Sequence, residues 1–276
     1  MKEFLELYES SLFLKIVVLS FLGLIFLCLG SFLNVLIYRL PIEESLTKTN
    51  SHCPKCNHKL RWYENIPLLS YIIQGGKCRG CKQKISIQYP LVESLALVMF
   101  VISYIRFGLS IEMILFTLLL LVFIVIFAID IKHYIIPNSL NITVLVLGAL
   151  VLFFPHSSIN GQMSINFIDR LIGFGVSFVI FLIFFVLEKL LKKELIGGGD
   201  IKFFFGIGLF MGWQLLLLGL FISALIGVVV AIFKKIIKSE KFLNKVIPFG
   251  PYLTIGFAFA YIFGLDIINL YFSLFI

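Results

Sequence analysis

Charge is what this sequence has least of. Only 14% of its 276 residues are Asp, Glu, Lys or Arg, against about a quarter in a soluble domain. With 60% hydrophobic residues and a mean hydropathy of +1.07, a water-soluble globular domain is excluded. Histidine is scarce as well: His52, His58, His133 and His156 are the whole set. There is no His-Glu-x-x-His and no suggestive Ser/His/Asp set, so zinc-peptidase and serine-hydrolase chemistry lack carriers. No Rossmann-type glycine fingerprint for a nucleoside cofactor occurs. Residues 1–11 are acidic (Glu3, Glu6, Glu9 against Lys2) and have no basic signal-peptide region. Internal repeats and low-complexity linkers are missing too.

What is present is a series of apolar runs. They cover about 16–37, 91–105, 112–129, 139–154, 167–187, 201–212, 213–233 and 248–263, followed by an apolar tail to Ile276. Most are long enough to cross a bilayer; 201–212 is short for a full crossing. The expectation is an all-α polytopic membrane protein with about eight transmembrane helices. Residues 42–89 are the only sizeable polar segment, so the chain reads as a membrane helix (1–41), a small extramembrane module (42–89) and a multi-helix membrane domain (90–276). Gly30, Ser31 and Asn34 near the end of the first run would let another helix approach closely, and Arg39 marks the interface.

The formal charge is +8. Eight spans place alternate loops on one side; that side carries net +10 and the other −2, together the +8 of the chain. The positive-inside rule makes the basic side cytoplasmic and puts both termini outside. Positive charge thus reports topology, and a nucleic-acid partner is not expected. The polar module, Asp130, Asp200 and the basic loop at 234–245 all fall on the cytoplasmic side.

Cysteine is used sparingly but in a pattern. Cys53-Pro54-Lys55-Cys56 and Cys78-Arg79-Gly80-Cys81 are separated by 21 residues, and Cys28 lies alone in an apolar run. Four thiolates from two such turns can close a tetrahedron around zinc, and a reducing cytoplasm favours metal over disulfides. Two disulfides or a redox pair are the alternatives. A four-thiolate site has no open position, so such a zinc scaffolds rather than catalyses. His52 and His58 then read as surface side chains.

Two aspartates carry the chemistry. Asp130 ends an apolar run just before Pro137-Asn138, a turn signal. Asp200 closes Gly197-Gly198-Gly199-Asp200, which reads as a glycine-rich loop ahead of an apolar helix. Taken singly, Asp130 could be an interfacial charge paired with Lys132, and the glycines a surface turn. Taken together on one side, they form a candidate dyad. Two carboxylates sharing a site do not both ionise easily; one stays protonated while the other serves as base. Such a pair can activate water against a peptide carbonyl. Lys132 or Lys202 could tune it.

These pieces, in order, resemble the type IV prepilin peptidase family, the bifunctional leader peptidase/N-methyltransferases. The resemblance rests on Gly30-Ser31-Phe32-Leu33-Asn34-Val35 with Arg39 and Pro41, both cysteine pairs, Trp62 to Tyr71 between them, and Tyr89-Pro90-Leu91-Val92-Glu93. It continues through Asp130 with Pro137-Asn138, Gly197-x-Gly199-Asp200 with Lys202, and Pro248-Phe249-Gly250-Pro251. Many members have a second acid two residues after the first aspartate; here that position is Lys132. The resemblance implies an aspartic endopeptidase of the Gly-x-Gly-Asp type. Asp130 and Asp200 would be catalytic, with Gly197, Gly199, Lys202 and Pro137 supporting the catalytic loop and Cys53, Cys56, Cys78 and Cys81 holding zinc. Its substrates would be type IV prepilins or pseudopilins, cut after a glycine at the cytoplasmic face of a bacterial plasma membrane. It also implies methylation of the new N-terminus with S-adenosylmethionine as donor. Glu93 could hold the substrate amine there, or be a helix-end carboxylate paired with a lysine. The rival readings are a transporter with a glycine-broken helix and a zinc-bearing membrane scaffold without chemistry.

Overall fold

A computed structural model describes residues 7–46, 51–154, 165–193, 197–236 and 248–275. Among these residues the chain is helical, with only isolated bridges, His52 to Lys59 and Lys77 to Lys84, outside helices and turns. The helices are α1 (Leu12–Arg39), α2 (Leu69–Ile73), α3 (Gln88–Phe107), α4 (Ile111–His133), α5 (Asn138–Val151), α6 (Phe167–Leu191), α7 (Gly198–Met211), α8 (Trp213–Ile236) and α9 (Gly250–Phe275). All but α2 lie on the eight apolar runs. Six (α1, α3, α4, α6, α8 and α9) are long and apolar enough to cross a membrane. The other two, α5 and α7, have 14 residues each, about 21 Å of helix against a hydrocarbon core of about 30 Å. The chain divides into two compact units, residues 1–102 and 103–276. The basic loop at 234–245 and the outer loop at 155–166 fall largely outside the described residues.

In the first unit, α1 and α3 run antiparallel. Phe26 stacks on Phe100 at 4.9 Å, and a Cβ on Gly30 would stand 2.8 Å from the Ala96 Cβ and 3.0 Å from the Glu93 Cα. Gly30 is therefore where the two backbones touch. One turn further on, Asn34 Nδ2 donates to the Tyr89 carbonyl at 3.3 Å. Arg39 does not simply mark the interface: it is buried, and Nη1 donates to the carbonyls of Ser45 and Leu46, each at 3.1 Å. That turns the chain from α1 into the polar module just after Pro41 has tightened the helix end into a 3-10 turn.

In the second unit, α4 is buried along most of its length. The short α7 is held on two sides through backbone contacts that only small residues permit. A Cβ on Gly206 would stand 2.7 Å from the Leu145 nitrogen of α5. On the other side, Gly208 meets the Gly173 carbonyl and Ser177 of α6, and Ser177 Oγ donates to the Phe204 carbonyl at 2.8 Å. α9 packs on α8 where Gly219 faces Phe257 and Gly256 faces Ser223. It also runs on as one helix to Phe275 rather than ending near Phe263, because no proline interrupts it and Gly264 lets Leu215 and Leu218 sit against it.

Candidate functional site

Asp130 lies in the last turn of α4. Tyr134 ends that helix in a left-handed conformation (φ 58°) with its N–H on the Asp130 carbonyl at 2.9 Å. The side chain is 5% exposed, and its Oδ2 accepts the Gly250 N–H at 2.8 Å. A Cβ on Gly250 would fall 2.7 Å from that same oxygen. Only glycine can start α9 here and still offer its N–H to the carboxylate.

The glycine motif differs from the loop expected of it. Gly197 is the N-cap, and Gly198, Gly199 and Asp200 form the first turn of α7. The reason is packing: a Cβ on Gly199 would lie 3.1 Å from the Ile136 Cβ and 3.2 Å from the Ile136 carbonyl oxygen. Here glycine provides close approach to the α4–α5 turn rather than freedom to flex. A second tie is Asn141 of α5, buried, whose Nδ2 donates to the Gly199 carbonyl at 3.1 Å. A third is Lys202, whose Nζ donates to Asn138 Oδ1 at 2.8 Å. Lys202 thus addresses the α5 start. Pro137, with φ −58° and ψ 138°, sets the extended bend between Ile136 and α5.

These three ties bring the first turn of α7 to the end of α4. The two carboxylates are near enough for the charge of Asp130 to act on Asp200. Asp200 is half-buried in the first turn of its helix, where the backbone dipole favours an anion. Gly250 and Asn141 are contributors to this arrangement that no single-residue signal in the sequence marks as such.

In the first unit the four cysteine sulfurs all lie within 4.8 Å of one another, with Cys56 and Cys78 at 3.9 Å. A tetrahedron with metal–sulfur bonds of about 2.3 Å has edges of about 3.8 Å. All four cysteines are free thiols, so the disulfide alternative is not the arrangement found. The donor set can hold a metal ion. The two turns are near copies. In each, the first cysteine N–H bonds a carbonyl five residues on, and its own carbonyl accepts the N–H four residues on, all at 2.9 Å. That fourth residue, Asn57 or Lys82, is left-handed in both, with φ 56° and 60°. Backbone N–H groups, first that of Cys81 and then that of Gly80, hold the Cys78 thiol down to about 7. At Cys56 the His58 N–H is outweighed by desolvation and the other three sulfurs, which push the thiol up to about 11, so the thiolate a metal needs forms first at Cys78.

Glu64 braces the two turns, and sequence reading assigned it nothing. It is 6% exposed. Its carboxylate accepts the Arg61 N–H at 2.8 Å and meets His58 Nε2 at 3.4 Å, beside the first turn, and Arg79 Nε at 3.7 Å, in the second. The backbone N–H of Arg61 holds its carboxyl below the usual range. That Glu64 is the only acid between the two cysteine pairs, among several bases, was the available signal. His58 is accordingly more than a surface side chain.

Glu93, near the start of α3, is 7% exposed. Its Oε2 accepts the Leu68 N–H at 2.7 Å, and Ser31 hydrogen-bonds it from α1. The lysine pairing weighed for it is not the contact found. Glu93 pins the segment after Trp62 onto the α1–α3 pair, at a point where Leu68 is held at φ 59°.

Comparison with known proteins gives the same division. The family described as "Bacterial Peptidase A24 N-terminal domain" matches residues 24–107, and "Type IV leader peptidase family" matches residues 114–232. A prepilin leader peptidase/N-methyltransferase of Myxococcus xanthus is 38% identical over 213 residues, covering 77% of this chain and 62% of the relative's own length. Proteins of the same name from Pseudomonas putida and Vibrio cholerae are 31% and 33% identical. Those matches cover 87% and 90% of this chain and 89% and 98% of theirs. No solved structure matches. With its six apolar spanning helices, its four-cysteine module and relatives aligned along most of its length, this multi-pass membrane protein belongs to the type IV leader peptidase family.

Proposed function

We propose that this chain is an aspartic endopeptidase that removes the basic leader from type IV prepilins or pseudopilins after a glycine, and then methylates the new N-terminal amine. What supports the first activity is that the Gly199 contacts with Ile136 and Asn141 bring the first turn of α7, which carries Asp200, to the turn that follows Asp130, in a chain of this family. One carboxyl group, protonated, donates to the scissile carbonyl oxygen. The other, ionised, takes a proton from a water that attacks the carbonyl carbon. When the tetrahedral intermediate collapses, the C–N bond breaks and the leaving nitrogen takes up a proton from the dyad. Gly199 keeps Asp200 near Asp130, and Gly250 orients Asp130 through its N–H. Lys202, Pro137 and Gly197 support the turn. Both carboxylates lie at helix ends rather than at mid-membrane, which favours the peptidase over a transporter.

The cytoplasmic face is the one we assign to this site, because the basic loops fall on it. A substrate's apolar helix would stay in the bilayer while its leader emerges at the dyad. That leader is basic and so is the face, so recruitment falls to the acids at the site itself, Asp130 and Asp200, and to anionic lipid. Cys53, Cys56, Cys78 and Cys81 would hold zinc as a closed structural site. S-adenosylmethionine would supply the methyl group; Glu93, the candidate for holding the substrate amine, is engaged by the Leu68 N–H and Ser31 in this structure and would have to exchange those bonds for the amine.

The test is to incubate the purified protein in lipid with a synthetic prepilin and labelled S-adenosylmethionine. Cleavage after the leader glycine, followed by label on the new N-terminus, is expected. An intact prepilin overturns the reading, and cleavage without label removes its second half. Gly199→Val is expected to lower cleavage at least about tenfold with normal zinc content. The Cβ of the added isopropyl group meets Ile136 directly, and overpacking of this kind costs about 1–3 kcal/mol and displaces the backbone that carries Asp200. Cleavage at the wild-type rate would mean that the close approach at Ile136 is not needed.

A further inference from the structure

At the end of the second unit away from the aspartates, a buried polar cluster joins four helices. Arg170, in the first turn of α6, is 1% exposed and donates from Nη1 to the Phe210 carbonyl in the last turn of α7. Its guanidinium also meets the Tyr261 hydroxyl of α9. Tyr261 in turn donates to Glu112 Oε1, in the first turn of α4, at 2.8 Å. The Tyr261 ring stacks on Phe116 at 4.5 Å and lies against Phe107 and Phe210.

Ionisable groups inside a membrane bundle are costly and call for a reason. A cation in the first turn of a helix is also opposed by that helix's own dipole. The opposition is lifted because Arg170 points at the C-terminus of its antiparallel neighbour, α7, whose last carbonyls lack partners within the helix and favour a cation. The N-terminus of α6 is itself locked: Asn166 and Asp169 form a capping box, with the Asn166 N–H on Asp169 Oδ2 at 3.0 Å.

The two helices tied here are the ones that carry the candidate dyad at their other ends. Glu112 and Asp130 are both on α4, and Phe210 and Asp200 are both on α7. Phe210 is ten residues, about 15 Å, from Asp200 along the short helix. α7 packs through close glycine contacts on α5 and α6, and its hydrogen bonds at the aspartate end go to α5 rather than to α4. A slip of one residue would carry Asp200 about 1.5 Å along the axis, enough to disturb a dyad. We propose that Arg170, with Tyr261 and Glu112, is a positioning residue that fixes the axial register of α7 against α4 and thereby the separation of Asp200 from Asp130. This rests on the peptidase reading above.

The test reads separation rather than stability. For two carboxyl groups that share a proton, the distance between the acid and alkaline limbs of the cleavage pH profile reports their coupling. The other groups around the pair are Lys132 and His133 on α4, Asn138 and Asn141 on α5, Lys202 on α7 and the Gly250 N–H of α9. The cluster variants leave all of them in place. Profiles of kcat are measured with a synthetic prepilin in lipid vesicles for the wild type, Arg170→Met, Arg170→Lys and Tyr261→Phe. In Arg170→Met the limbs are expected to close by on the order of 0.5–1 pH unit, and kcat to fall 10- to 100-fold with KM within about twofold. Arg170→Lys, which can still donate to Phe210, is expected to recover part of the width. Tyr261→Phe keeps its ring contacts and is expected to narrow the profile less. If Arg170→Met does not accumulate, Tyr261→Phe decides alone. Limbs that stay at wild-type spacing in every variant obtained, with rate losses that follow only the folded fraction, overturn the proposal. Wild-type cleavage that survives Asp130→Asn instead overturns the peptidase reading on which it stands.

Discussion

Asp130→Asn and Asp200→Asn are each expected to lower prepilin cleavage by about 10³-fold or more, with the protein still folded and metal-loaded. The expected size follows from the proposed roles. General acid–base transfer contributes about 10²- to 10⁴-fold, and in a dyad the loss of either member removes both the proton donor and its conjugate base. Asparagine is the informative replacement. At position 130 its amide oxygen can still accept the Gly250 N–H now taken by Oδ2 at 2.8 Å, so α9 keeps its start. At position 200 the side chain remains polar at the N-terminus of α7. Stability is therefore expected to change little, and a rate loss reads as chemistry. The measurement is single-turnover cleavage of a synthetic prepilin in lipid, with zinc content and chromatographic behaviour followed in parallel. Near-normal cleavage in either variant would remove that aspartate from the mechanism. The double variant should be no worse than the poorer single one, because groups acting as a unit are not additive.

The second large effect is expected at the metal site. Cys78→Ser should reduce bound zinc from about one per chain to nearly none, and so should exhaustive chelation of the unaltered protein. A structural zinc site can contribute about 10–16 kcal/mol in isolated zinc-finger peptides, far more than the few contacts otherwise holding residues 51–85. Of these, the Glu64 brace is the strongest, and at 3.4 Å and 3.7 Å its links to His58 and Arg79 are long. Without metal, the exposed basic residues Lys55, Lys59, Lys82 and Lys84 should become rapid trypsin sites. The dyad belongs to the other compact unit. Cleavage should therefore fall less than zinc content does. Full zinc content in Cys78→Ser, or unchanged protease resistance after chelation, would contradict a four-thiolate site.

The class of the molecule is legible from its sequence because hydropathy acts locally. Any run of about 20 apolar residues must be helical in lipid, whatever surrounds it. The cysteine pairs are legible for a similar reason: each Cys-x-x-Cys closes its own turn, and the only long-range step is to bring the two together. Asp130 and Asp200 stand out as charges at the ends of apolar runs. Glu64, Asn141 and Arg170 do not stand out. Their significance depends on partners at positions 79, 199 and 210, which no local pattern names.

The glycine motif shows the same boundary within four residues. By itself, Gly197 to Asp200 reads as a loop, since three glycines weaken a helix by about 1 kcal/mol each. In the folded chain, contact with Ile136 and the Asn141 amide outweighs that cost, and the helix begins at Gly198. Sequence alone determined that this is a helical membrane protein with a four-cysteine module, and it marked two aspartates at the ends of apolar runs, because hydrophobic length and thiol spacing are properties of short segments. Only the tertiary structure decided that the turn carrying Asp200 packs beside the end of the Asp130 helix, that glycine serves contact there rather than motion, and that a buried arginine and tyrosine link the far ends of their helices. Each of these is a contact between residues far apart in the chain, selected by packing rather than by local preference.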